Sequence, residues 1–145
     1  HNHLTRDIAK ELYGDKLDDN YTLVNELRYQ VFEYCAKHET DLIFTVVYGG
    51  KGDESIFKEY ISKINEYGFE ISFVELTASS DDLINRVENE SRKKYKKLTD
   101  QHVMKNLVAD LSVFSIPFVD SLKVNTSELT ADESAQYIAK QLGLL

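Results

Sequence analysis

One stretch limits the fold more than any other: Asp41 to Tyr48, DLIFTVVY, an unbroken apolar run rich in β-branched and aromatic residues. Such a run predicts a strand covered on both faces, the pattern of parallel sheets with helices on either side. Glycine follows at once, Gly49-Gly50-Lys51-Gly52, then Ile56, Phe57, Tyr60, Ile61 and Ile64 at helical spacing up to Gly68. A second strand is predicted at Phe69 to Leu76 (FEISFVEL) and a short third at Ser121 to Asn125 (SLKVN). Between them Ser79-Ser80-Asp81-Asp82 reads as a cap for a helix carrying Leu83, Ile84 and Val87. Apolar periodicity resumes at Val103, Leu107, Val108 and Leu111. Thr130-Ala131-Asp132-Glu133 is a capping box that opens a last helix, with Ala135, Ile138, Ala139 and Leu142 inward and Gly143 at its end. Upstream, Leu4, Ile8 and Leu12 mark a short amphipathic helix. Leu23, Leu27, Val31 and Cys35, widened by Val24 and Phe32, mark a longer one. Strands separated by helices imply parallel pairing through right-handed crossovers. The expected class is α/β, a three-layer α/β/α arrangement with a mainly parallel sheet in a single domain over residues 1–145.

Composition narrows the function classes. A formal net charge of -8 argues against a nucleic-acid or anionic-membrane binder, whose affinity rests on clustered Lys and Arg. One cysteine can form neither an internal disulfide nor a zinc site alone, which fits a reducing, cytoplasmic setting and a small core residue. No apolar run approaches the roughly 20 residues that span a bilayer.

Against this acidic background stands Arg92-Lys93-Lys94-Tyr95-Lys96-Lys97, preceded by Arg86 and Asn89. It is either a solvated helix face or a phosphate clamp. Cations so close repel one another, so the segment is expected to stay mobile until an anion arrives. Arg offers a planar fork for bidentate phosphate contact and Lys a point charge. The Gly49–Gly52 cluster lacks the Gly-Lys-Ser/Thr of a P-loop and the three spaced glycines of a dinucleotide site; it is either a strand-to-helix turn, the reading preferred, or a backbone cradle for a phosphate. His1-Asn2-His3 is no nuclease motif, and its two histidines would need further ligands to hold a metal, so no metal ligands are assigned.

These residues taken in order resemble the shikimate kinase-like P-loop kinases, in particular a bacterial branch with an HNHLT segment. His1-Asn2-His3-Leu4-Thr5 with Asp7 resembles the end of that family's second strand and the entry to its substrate-side helices. Arg28 with Val31-Phe32 resembles the next helix. Leu42-Ile43-Phe44-Thr45 and Phe73-Val74-Glu75-Leu76 resemble two strands. Arg86-Val87, Asn89, Ser91-Arg92 and Lys97-Leu98 resemble the lid, about residues 88–98. Pro117-Phe118 and Ser121 to Thr126 resemble the last strand and the adenine-side loop. The resemblance covers essentially the whole chain but departs at the start: no first strand and no Gly-x4-Gly-Lys-Ser/Thr loop is present in residues 1–145.

The resemblance implies an ATP-dependent phosphotransferase, with Mg²⁺, acting on a small hydroxyl-bearing metabolite. His3 is implied as the base, with Arg92 and Lys97 catalytic. His1, Asn2, Arg28 and Thr45 would face the acceptor. Arg86, Arg92, Lys93, Asn125 and Thr126 would face the nucleotide. Asn125 stands where many relatives carry an acidic residue. The chain starts at His1 and its one methionine is Met104, so a further N-terminal segment of roughly 30 residues is expected, by family analogy, to supply the loop and a central strand. Without that segment the alternative is a catalytically inactive module that binds a nucleotide or a partner. Its exposed sheet edges could pair with another chain, a second copy included.

Overall fold

The structure is a computed structural model that describes residues 3–14, 22–94, 97–110 and 115–145. It is a mixed α/β fold whose chain gathers into two compact units, His1–Ile71 and Ser72–Leu145.

The first unit holds α1 (His3–Tyr13), α2 (Thr22–Lys37) and α3 (Glu54–Glu66), with a 3-10 turn at Lys51–Asp53. Helix α2 packs against both of its neighbours. Its buried residues are Val24, Phe32 and Cys35, all in the expected stripe, and Arg28, which was not; the expected Leu23 and Leu27 are half-buried and Val31 is exposed. The difference has a physical reason. An aromatic bed accepts the guanidinium of Arg28, so a charged residue occupies a place that a purely apolar reading gives to its neighbours. Phe32 is the centre of that bed and is 1% exposed. Its ring meets Phe44 edge-on at 5.2 Å and Tyr60 at 6.2 Å. Cys35 is a buried free thiol, as its place in the stripe implied.

The expected strand at Asp41–Tyr48 is not one. Residues 41–48 have no regular secondary structure and no ladder partner among the described residues. The segment still alternates. Phe44 and Tyr48 are half-buried, Tyr48 meeting Phe57 at 5.1 Å, whereas Ile43 and Val47 on the opposite side are 90% and 84% exposed. Neither expected face is fully covered: Leu42 and Val46, on the same side as the two rings, are still 40% and 39% exposed. Gly50 adopts φ of +91° in the turn that follows, a conformation that suits glycine. Helix α3 ends as its glycine foretold: Gly68 has φ of +82°, and the Phe69 amide donates to the Ile64 carbonyl in a Schellman closure.

The second unit holds β1 (Phe73–Thr77), α4 (Ser80–Arg86), α5 (Glu90–Lys94), α6 (Gln101–Asp110), β2 (Ser121–Asn125) and α7 (Ala131–Gln141). The two strands pair in parallel, Phe73 opposite Ser121 and Thr77 opposite Asn125. The sheet of the described residues thus has two strands where three were expected. A parallel pair needs a crossover of a dozen residues or more, and α4 to α6 supply it. Ser79 caps α4 by accepting from the Asp82 amide. The capping box of α7 is complete, Thr130 and Glu133 each accepting the other's backbone N–H. Helix α7 lies on β2, whose Val124 is buried, but its inward residue is Ser134, with Ile138, Ala139 and Leu142 half-buried and Ala135 exposed. No helix among the described residues is long and apolar enough to cross a membrane.

Candidate functional site

The carboxyl ends of β1 and β2 form one polar rim. Open α/β sheets hold ligands at such ends. Thr77 closes β1 and Asn125 closes β2, side by side in the ladder. The Thr77 carbonyl accepts from both the Thr126 amide and the Thr126 hydroxyl, each at 2.8 Å. Thr126 in turn accepts from Arg86. Nη1 reaches its Oγ1 at 2.9 Å and Nη2 its carbonyl oxygen at 2.5 Å. The Ser127 hydroxyl accepts from the Ser79 amide at 2.8 Å. Asp82 takes the Ser79 hydroxyl at 2.7 Å. Hydrogen bonds from Ser127 and then Ser79, helped by the charge of Arg86, hold the Asp82 carboxyl below its ordinary range. The Asn125 side chain turns back on its own loop, accepting from the Ser127 amide and donating to Glu128.

The structure thus brings together three residues that the sequence assigned to the nucleotide: Arg86, Asn125 and Thr126. It adds Thr77 and Ser127, which the sequence reading did not single out, and Ser79 and Asp82, which it read only as part of a helix cap. The signal was available in the hydroxyl and amide residues after each strand, Thr77-Ala78-Ser79 after FVEL and Asn125-Thr126-Ser127 after SLKV.

The described part of the basic segment opens as a short helix with internal pairing. Residues 90–94 are helical, and Lys93 pairs with Glu90 at 2.6 Å, which raises the lysine's pKa. Acids just upstream offset the repulsion that the run of cations would otherwise suffer. Arg92 donates through Nε to the Leu98 carbonyl at 2.9 Å, while the Lys97 amide donates to the Arg92 carbonyl at 3.0 Å. The two bonds tie the ends of the 92–98 stretch together. Lys97 itself is exposed.

The residues assigned to the acceptor belong to the first unit. His1 and Asn2 lie outside the described residues, and His3 opens α1. Arg28 is 6% exposed. It donates to Asn25 at 3.1 Å and to the Tyr60 hydroxyl, and its guanidinium lies 5.6 Å from the Tyr60 ring and 5.8 Å from that of Phe44. Burial pushes the Tyr60 hydroxyl's pKa up, and the hydrogen bond and charge of Arg28 oppose that rise. Thr45 is exposed on the segment 41–48. The glycine turn is closed from within, the Gly49 amide donating to Asp53 at 2.7 Å. A Cβ at Gly49 would meet that carboxylate at 3.0 Å. An amide already engaged by a carboxylate supports the turn reading over a phosphate cradle.

No family model, no curated protein and no solved structure matches this chain.

Proposed function

We propose that the intact protein is a cytoplasmic ATP-dependent phosphotransferase of the shikimate kinase-like P-loop type, acting on a small hydroxyl-bearing metabolite. One observation carries the reading. The carboxyl ends of a parallel strand pair bear a rim of hydroxyl, amide and guanidinium groups, and the same unit carries Arg92, Lys93 and Lys97 as local cations. Phosphoryl transfer needs positioning and positive charge more than covalent chemistry from the protein. In this reading Arg92 and Lys97 neutralise charge that develops on the transferring group. Asn125 and Thr126 border the nucleotide. His3 takes the acceptor's proton, its neutral imidazole near pH 7 suiting a base. His1, Asn2, Arg28 and Thr45 orient the acceptor.

The reading requires a Gly-x4-Gly-Lys-Ser/Thr loop, which residues 1–145 do not contain. Among the described residues no three His, Cys, Asp or Glu side chains gather as a ligand set for a cation. A Mg²⁺ carried by ATP would take most of its ligands from phosphate and water and need only about one or two protein carboxylates.

The test is a screen of the full-length protein against small hydroxyl-bearing metabolites, read as ADP release. Arg92→Ala should lower kcat about a hundredfold or more while leaving folding intact. Unchanged turnover in that variant removes Arg92 from the chemistry, and no ADP release with any acceptor removes the reading. The second reading, an inactive module that binds a nucleotide or a partner chain, is favoured by the open Ile43 and Val47 face. Tight nucleotide binding or self-association without turnover would select it.

A further inference from the structure

We infer that Arg86 is a positioning residue: it locks the loop Asn125–Ser127 onto the end of β1, so the rim stands ready before any ligand arrives. The inference rests on the phosphotransfer reading for its functional consequence, but the lock itself rests on geometry. A guanidinium binds a phosphate best through two nitrogens at once. The Nη1 and Nη2 edge of Arg86 is already on Thr126, one nitrogen on the hydroxyl and one on the carbonyl.

The proton directions agree around the whole network. The Thr126 hydroxyl gives its hydrogen to the Thr77 carbonyl and accepts from Arg86 with a lone pair. The Thr126 amide gives its hydrogen to the same carbonyl. Arg86 therefore bridges the end of α4 to the loop after β2, and Thr126 bridges that loop to β1. Ser79, the cap of α4, donates its hydroxyl to Asp82, one turn before Arg86, and its amide to the Ser127 hydroxyl, so a second anchor of the same loop reaches the same helix. Lysine could not reproduce the grip, since it offers a point charge and no fork.

The test compares the full-length protein with its Arg86→Ala, Arg86→Lys and Thr126→Val variants by residue-resolved amide exchange, with ATP kinetics alongside. In Arg86→Ala the Thr126 amide should exchange at least about tenfold faster, while ladder amides such as Val124 keep their protection. Arg86→Lys should recover only part of the loss. Unchanged protection of Thr126 in a folded Arg86→Ala overturns the lock. If that variant does not fold, Thr126→Val decides. It removes the hydroxyl's two bonds and keeps the carbonyl contact, so a quickening of about threefold supports the lock and none overturns it.

In kinetics, a loop holder should raise KM for ATP by about tenfold and lower kcat much less. The reverse split, a large fall in kcat with KM unchanged, would make Arg86 a phosphate ligand and overturn the inference. Absence of any phosphotransfer in the wild-type protein sinks the proposed function alone, and the exchange data then judge the lock on their own.

Discussion

The segment 41–48 and strand β1 carry the same kind of sequence, a run of branched and aromatic apolar residues after a helix, yet one is in a ladder and the other is not. In β1, Phe73 to Thr77 each have a parallel partner in β2. Residues 41–48 lay Phe44 and Tyr48 on the aromatic bed of α2 and α3, with Ile43 and Val47 facing outward. The difference separates two things that an apolar run is usually taken to report together. Side-chain alternation answers to the surface beneath the segment. The ladder answers to a backbone beside it.

The largest effect should come from removing that surface. Phe32→Ala should destabilise the protein by about 3–5 kcal/mol, the range for truncating a fully buried aromatic ring. It takes away the edge-on contacts to Phe44 and Tyr60 in one step. Denaturant unfolding measures it. A loss below about 1 kcal/mol would mean that the bed is not what holds 41–48.

Amide exchange breaks the comparison most directly. Alternate amides of residues 73–77, those of Phe73, Glu75 and Thr77, face the ladder and those of 41–48 have none among the described residues, so the second set should exchange about a hundredfold faster than these three. Equal protection would show that 41–48 has a strand beside it in solution, supplied by another part of the full-length protein or by a second copy. That result would support the expectation of a larger sheet. Val47→Lys then sharpens the point: on an open face it should change stability by less than about 0.5 kcal/mol.

Much of the paired region was legible in the sequence, because its signals are local. SLKVN is β2, residue for residue. Ser79 and Thr130 cap the helices they precede, and Gly68 closes α3. Each of these outcomes depends on a few neighbouring residues and the geometry of a helix end. What local signals could not supply concerns partners far along the chain. Whether 41–48 pairs depends on which backbone lies next to it. Whether Arg28 is inside depends on Tyr60, a helix away. Arg86 and Thr126 were both singled out as nucleotide ligands, and their contact with each other links positions forty residues apart. Side-chain type announces that Arg86 will bind an acceptor; it does not say that the acceptor is Thr126.

Helix α7, which backs β2, offers a smaller test of the paired side. Thr130→Ala removes one half of its capping box and should cost about 1 kcal/mol, read from chemical denaturation. Its effect should be localised. Exchange at the start of α7 and along β2 should quicken, and exchange in residues 41–48 should not change.

The smallest effects are the pH responses, and they distinguish the two regions by sign. Glu133 accepts from the Thr130 backbone and hydroxyl, which lowers its pKa below the ordinary 4.5. A carboxyl with a depressed folded pKa contributes stability that is whole above its unfolded value and lost as pH falls through the folded one. The cap of α7 should therefore weaken in acid, below about pH 4.5. Beneath 41–48 the titrating groups are phenols. Burial raises the pKa of Tyr60, and burial together with Glu59 raises that of Tyr29, both from an ordinary 10.0. A phenol whose folded pKa is raised gives stability that is intact below the unfolded value and lost as pH climbs through the folded one. The aromatic bed should accordingly loosen above about pH 10 while the cap of α7 is unaffected. Residue-resolved exchange at the two extremes checks both signs. Loss of protection first at 41–48 in acid, or first at α7 in alkali, would contradict the assignment of those groups to those two regions.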